Sequence, residues 1–302
     1  MRCLVTGGSG FIGSHIVDNL IASGHNVRIF DIRHSKHTPD CEHFIGSILD
    51  LEALRLAMNG VDVVFHLAAV ADVKDVLNDP IYAENVNTRG TVNVLEAANR
   101  SVGPRVIYGS TTWVYGDAPQ DTVDEDTPIP PPAHLYTATK LAGEYYCRSY
   151  GALYGLRYTI LRYGIPYGPR SRDNAVIPTF VKKALNSQPI VISGDGSQFR
   201  QFVYVKDLAE GNVAALHPIA SGKTYNLDGI RKITIREIAE SVRDIVGNVE
   251  IRYGEERPGD FRGKMVLSTR ALVELEWAAK TGFIDGLYEY VRWFKENHDA
   301  SH

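Results

Sequence analysis

The chain has 302 residues, 44% of them hydrophobic and 23% charged, and a formal net charge of −4; this is the balance of a soluble globular protein of one large or two modest domains, with no basic surface for nucleic acid. Cys3, Cys41 and Cys147 are too few and too widely spaced for a disulfide framework or a metal site, and they fit a reducing cytoplasm. No charged-then-apolar leader precedes RCLVTGG and no apolar run approaches the roughly 18 residues of a membrane span, so a cytoplasmic protein without membrane contact is expected.

Buried strands are predicted at residues 3–7 (CLVTG), 26–31 (NVRIFD), 61–69 (VDVVFHLAA), 104–110 (PRVIYGS) and 157–163 (RYTILRY). Between them, residues 11–24, 50–60, 91–103 and 141–155 carry apolar side chains at helical spacing and end at glycine. This alternation predicts an α/β fold with a parallel, doubly wound sheet of Rossmann type, and nearly continuous apolar strands agree because both faces of such a sheet are covered. The pattern breaks after about Gly164 in GIPYGPRSRDNAVIP. A helix over 176–187, a strand at 189–194 and a strand then helix over 199–211 follow. The expected division is a large domain of 1–165 plus about 200–225, and a smaller mixed α/β substrate-binding lobe of about 166–199 plus 226–302.

TGGSGFIGSH (residues 6–15) follows the first strand and opens the first helix. Its glycines allow a tight turn and bring backbone N–H groups to a pyrophosphate at the positive end of the helix. A glycine triplet alone is a weak signal, but the strand before and the helix after favour a dinucleotide over a plain turn. Asp31 closes the second strand, where a carboxylate accepts from a ribose 2′-hydroxyl and repels a 2′-phosphate, favouring NAD. A helix cap or solvated turn is the alternative there, and Arg33 keeps NADP open.

Tyr136 and Lys140 lie four residues apart in LYTATKLAGE, on one face of a helix. A lysine ammonium lowers the pKa of a nearby phenol, and a tyrosine so tuned can take a proton from a substrate hydroxyl. Ordinary helix surface is the alternative, since the chain has 16 tyrosines. Ser110, Thr111 and Thr112 stand at the C-terminal end of a predicted strand, where open α/β sheets bind ligands.

The ordered set TGGSGFIG, Asp31, HLAA (66–69), Asn87 with GT (90–91) and NVLEAA (93–98), STTWVYG (110–116), Tyr136-x-x-x-Lys140, YGPR (167–170), GDGSQFRQFVYVKDLA (194–209) and RPGD (257–260) resembles the extended short-chain dehydrogenase/reductases over nearly the whole chain. Within them it resembles the nucleotide-sugar epimerases and dehydratases, UDP-glucose 4-epimerase-like members above all. The resemblance implies Tyr136 as base, Lys140 as its tuning partner and Thr111 as the catalytic hydroxyl. It implies an NAD site of Gly7, Gly10, Phe11, Ile12, Gly13, Asp31, Ile48, Leu67, Ala68, Ala69, Asn87, Tyr136, Lys140 and Tyr163. It places Thr111, Thr112, Tyr136, Val176, Arg200 and Arg257 on the nucleotide-diphosphate sugar, the arginines on the diphosphate, whose geometry suits a guanidinium fork. A homodimer through residues 81–101 and 136–155 is implied as well.

Four positions, in three places, depart from the family pattern. Ser47 stands where an aspartate is common beside the adenine, and Ile165 where an asparagine near the sugar phosphates is common. Thr112 and Trp113 stand where sugar dehydratases carry an Asp-Glu pair, and neither is a carboxylic acid; decarboxylases of the family usually carry a glutamate near this site, and Trp113 disfavours them too. Lys264, Arg170 and Arg172 could favour an acidic sugar, or simply face solvent. The expected reaction is C4 epimerisation of a UDP-hexose or UDP-uronate through a transient 4-keto sugar, with NAD as cofactor. A reductase or dehydratase of a nucleotide sugar is the first alternative and a non-catalytic NAD-binding scaffold the second.

Overall fold

A computed structural model describes residues 1–116, 118–247, 249–255 and 263–298. The chain opens with β1 (Arg2–Thr6), α1 (Phe11–Ala22), β2 (Asn26–Asp31), β3 (Glu42–Ile45), α2 (Leu51–Ala57) and β4 (Val63–His66). Two short helices, α3 (Val73–Asn78) and α4 (Pro80–Glu84), run through a π-helical turn (Asn85–Arg89) into α5 (Gly90–Arg100). Then come β5 (Arg105–Thr111), a 3-10 turn (Thr112–Tyr115), β6 (Thr122–Val123), α6 (Leu135–Tyr154) and β7 (Tyr158–Tyr163). The remainder is β8 (Ile165–Tyr167), α7 (Val176–Leu185), β9 (Ile190–Ser193), β10 (Phe199–Tyr204), α8 (Val205–Ala214), β11 (Lys223–Leu227), β12 (Lys232–Thr234), α9 (Ile235–Val246), β13 (Ile251–Gly254), β14 (Met265–Val266), α10 (Thr269–Leu275) and α11 (Phe283–His298).

Seven strands form one parallel sheet in the order β11-β7-β5-β4-β1-β2-β3. Alternate residues bury opposite faces. Cys3, Val5, Ile29 and Phe65 pack with Ile16, Val17 and Leu20 of α1 and Leu208 of α8, whereas Leu4, Phe30, Val64 and Val106 pack with Leu54 of α2 and Val94 and Leu95 of α5. Two of the seven strands go beyond the pattern expected from sequence. β3 (EHFI) is a half-exposed edge strand, so it lacks an apolar run; β11 (KTYNL) mixes polar residues into a buried strand.

A second core, with Tyr167, Phe180, Ile192, Phe202, Ile238 and Leu287, gathers small sheets β12-β10-β8 and β13-β9 under α7, α9 and α11. A fourth sheet pairs β14 with β6. In the large sheet, connections run one way from β1 to β3 and the other way from β1 through β4 and β5. This reversal leaves a crevice at the carboxyl ends of β1 and β4, the place where doubly wound sheets take ligands.

Candidate active site

That crevice is a cavity of about 940 Å³. Its end wall is the turn after β1. Gly7 has φ +72°, and a Cβ there would stand 2.7 Å from the Ala68 nitrogen; a Cβ on Gly13 would stand 2.2 Å from the Gly7 carbonyl. Side chains at either position would force the turn apart. Gly10 begins α1 with no side-chain cap, so the first N–H groups of the helix, at Phe11, Ile12 and Gly13, face the cavity without a helical partner.

Asp31 lines the same cavity at the end of β2. Its carboxylate accepts from the Ser9 N–H at 3.0 Å and the Arg33 N–H at 3.3 Å, which ties the glycine turn to the next loop. Ser47 and Ile48 form the wall beyond it, and Ile48 is buried where a Cβ on Gly90 would meet it at 2.4 Å.

Leu67, Ala68 and Ala69 leave β4 as the opposite wall, and a buried polar chain holds them. The Thr6 hydroxyl accepts from the Leu67 and Ala68 N–H groups and lies 2.8 Å from His66 Nδ1. His66 Nε2 meets the Thr91 hydroxyl at 3.0 Å, and Thr91 donates to the Asn87 carbonyl. That order assigns the proton to Nε2. Burial takes His66 down to about 3, so the ring stays neutral. Asn87 sits behind the wall: its amide accepts from the Val70 N–H at 2.7 Å and donates to the Val70 carbonyl and to Thr139.

Helix α6 carries Tyr136 and Lys140 onto the third wall, with Ser110 of β5 and Tyr163 of β7 beside them. Lys140 Nζ lies over the Tyr108 ring, 4.6 Å from its centroid, and Tyr163 donates its hydroxyl to Asn212 at 2.6 Å. One helical turn past Lys140, Glu144 is fully buried. Its two oxygens take a fork from Arg162 at 2.8 and 2.7 Å, and the Ser110 hydroxyl donates to it at 2.7 Å. This bidentate pair pins α6 to β5 and β7 and so fixes the register of Tyr136 and Lys140.

The electrostatics correct one expectation. Burial pushes Tyr136 up to about 12, against a lowering by the Arg172 charge, and brings Lys140 down to about 8. Tyr136 is half-buried and Lys140 buried, and the lysine alone does not bring the phenol toward neutrality.

The residues expected on a substrate divide. Tyr136 lines the large cavity, while Thr112 and Arg200 line a second, small pocket with Trp113, Ile165, Asp228 and Lys264. Thr111 is buried at the end of β5 and its hydroxyl accepts from the Trp113 N–H at 3.2 Å; Ser110, not Thr111, faces the large cavity. Val176 packs against the second core. Arg257 lies outside the described residues, as does the rest of RPGD. The two pockets meet at Trp113, whose indole stands edge-on to the Tyr136 ring with centroids 6.4 Å apart. Lys264 donates to the Ala118 carbonyl at 2.7 Å, and Arg170 and Arg172 pair with Asp18 and Asp72.

Backbone donors at a helix end, a turn with no room for Cβ atoms, a carboxylate at the end of β2 and a long apolar wall fit a dinucleotide. A family model described as NAD dependent epimerase/dehydratase matches residues 3–228. The chain belongs to that family. Among its relatives, UDP-glucose 4-epimerase of Mycolicibacterium smegmatis is 33% identical, with 98% of this chain and 99% of that one covered. UDP-N-acetyl-alpha-D-glucosaminuronate decarboxylase of Bacillus cytotoxicus is also 33% identical, with 98% of each covered. The crystal structure of UDP-glucose 4-epimerase from Thermotoga maritima with UDP-glucose superposes with a TM-score of 0.92 at 31% identity, covering 98% of this chain and 99% of that one. Epimerases, dehydratases and decarboxylases of nucleotide sugars thus all stand near this NAD-dependent chain.

Glu144, Arg162, His66 and Asp228 were not singled out from sequence. Glu144 had a signal, because it continues the i, i+4 row of Tyr136 and Lys140; the others are read as polar residues within strands or turns until the fold brings them together.

Proposed function

We propose that the protein is an NAD-dependent 4-epimerase of a nucleotide-diphosphate sugar, a UDP-hexose or UDP-uronate. The observation that carries this reading is the meeting of Tyr136 and Lys140 with the dinucleotide cradle in one cavity, at a site whose neighbouring residues 112 and 113 are threonine and tryptophan. Bound NAD supplies the hydride acceptor and donor, and its cationic ring favours the phenolate that burial alone opposes. Tyr136 takes the proton of the sugar 4-hydroxyl and returns it once the 4-keto sugar has presented its other face. Lys140 holds positive charge beside that phenolate and hydrogen-bonds the cofactor ribose. Gly7, Gly10, Phe11, Ile12 and Gly13 hold the pyrophosphate, and Asp31 the adenosine ribose. Ile48 and Leu67 to Ala69 line the cofactor, Asn87 fixes that wall, and Tyr163 borders the nicotinamide.

Thr112 borders the sugar, Val176 the nucleotide, and Arg200 with Arg257 the diphosphate, while Thr111 acts from behind, its hydroxyl holding the Trp113 N–H. The Thr112 and Trp113 side chains offer no carboxyl for water loss, which sets the reading against a 4,6-dehydratase. We place the enzyme in the cytoplasm, where three free cysteines are at ease, and as a homodimer through α5 and α6, the latter exposing Tyr145, Tyr146, Leu153 and Tyr154.

The test is incubation of the purified protein with UDP-glucose, UDP-N-acetylglucosamine and UDP-glucuronate, followed by NMR of the products. C4 inversion without net consumption of NAD(H) is expected. Stoichiometric oxidation of added NAD(P)H would instead identify a reductase, and no inversion of any nucleotide sugar overturns the proposal.

A further inference from the structure

The small pocket holds a buried acid that the reaction outlined above leaves unused. Asp228, just after β11, is 3% exposed, yet its side chain lines the pocket with Thr112, Trp113, Arg200 and Lys264. Its position is built. The Asp228 N–H donates to the Ser268 hydroxyl at 3.1 Å, the Gly229 N–H donates to Oδ1 at 2.8 Å, and the Thr112 hydroxyl hydrogen-bonds the carboxyl. On the far side lies Gly164, where a Cβ would fall 2.0 Å from Oδ1, so the carboxyl occupies space that only glycine leaves.

The location decides what this acid can meet. A sugar whose 4-hydroxyl reaches Tyr136 and whose C4 faces the large cavity must extend away from that cavity. Trp113 borders both Tyr136 and the small pocket, so that extension leads past the indole to Asp228. The inference rests on the nucleotide-sugar reading above. We propose that the Asp228 side chain contacts the sugar of the substrate directly and helps decide which sugar is accepted.

The contact is with the sugar rather than the diphosphate, because Arg200 in the same pocket supplies the positive charge a diphosphate needs, which leaves Asp228 to the sugar. Burial raises the Asp228 pKa to about 8, so near neutrality the group is a carboxylic acid that can donate to a sugar hydroxyl or amide as well as accept. The charged side chains sharing the pocket are Arg200 on β10 and Lys264 ahead of β14, and Lys264 is already engaged with the Ala118 carbonyl.

The experiment titrates NAD-loaded wild type, D228N and D228A by calorimetry with UDP, UDP-glucose, UDP-N-acetylglucosamine and UDP-glucuronate. For the sugars that the wild type holds more tightly than UDP, D228A should weaken binding about tenfold, the size of one lost hydrogen bond, with UDP and NAD affinities unchanged. D228N keeps a donor and an acceptor and should stay within about threefold of wild type. Should D228A fail to fold, D228S keeps a hydrogen-bonding partner for Thr112 on a side chain too short to reach the sugar, and should weaken UDP-sugar but not UDP binding. Equal weakening of UDP and UDP-sugar, or no change in either variant, overturns the contact. A wild type that binds and epimerises a UDP-sugar while D228A matches it overturns the contact alone; a wild type that binds no nucleotide sugar overturns the function and the contact together.

Discussion

The two pockets are built in opposite ways. The end of the large cavity that suits a dinucleotide is walled largely by backbone and small residues, the glycine turn after β1 and Leu67 to Ala69 after β4, with Tyr136 and Lys140 of α6 on a further side. The small pocket is assembled from side chains of five separate segments, with Thr112 and Trp113, Ile165, Arg200 and Gln201, Asp228, and residues 263–266 each supplying a piece. A dinucleotide recognised by backbone geometry needs glycines at fixed spacing, so its site is conservative in shape. A pocket of independent side chains can change one residue at a time, which suits a choice among sugars. Substitutions in the first should therefore abolish binding or turnover altogether, and those in the second should shift selectivity.

The sharpest break of that contrast is Tyr136→Phe, which removes only the phenol oxygen. Turnover should fall about a thousandfold or more, while the NAD content of the purified protein, read by absorbance after denaturation, stays at the wild-type level. Next is Glu144→Gln. Arg162, 1% exposed, would lose its fork partner, and breaking such a buried pair costs about 3–5 kcal/mol. Denaturant unfolding should show that loss, because the pair anchors α6, a wall of the large cavity, to the central sheet. Gly13→Ala is smaller: its Cβ meets the Gly7 carbonyl at 2.2 Å, and a strain of about 1–3 kcal/mol should weaken NAD some 10- to 100-fold. An alanine variant that binds NAD normally would show that the turn has more freedom than its geometry allows.

The same division explains what the sequence disclosed. The glycine turn, Asp31 and the Tyr136–Lys140 pair were legible because each is a local pattern at an element boundary. The Rossmann-type sheet was legible because its central strands are continuous apolar runs. β3 was not, since an edge strand half open to water carries no such run. Asp228 belongs to no motif in the sequence, and nothing local tells that Gly164, Thr112 and Ser268 close around it. The Thr6, His66 and Thr91 chain likewise joins three distant segments that only the parallel register brings together.

The last prediction separates the pockets by pH. Asp228 has an ordinary value of 3.8 and is raised to about 8 in the folded protein, by burial first. Between those two values the folded chain holds a proton that the unfolded chain has released, so rising pH favours unfolding. The stability attached to this group is fully present below about pH 3.8, shrinks through the window up to about 8, and is gone above it. Asparagine does not titrate. The melting temperature of D228N relative to wild type should therefore climb from pH 5 to pH 8 and level off beyond. Lys140 in the large cavity acts with the opposite sign and in another window: its folded value of about 8 lies below its ordinary 10.5, so rising pH between them favours the folded state. A gap between D228N and wild type that stays constant from pH 5 to 9 would show that the carboxyl is already ionised at neutral pH, and that the small pocket carries a negative charge where its shape calls for a neutral donor.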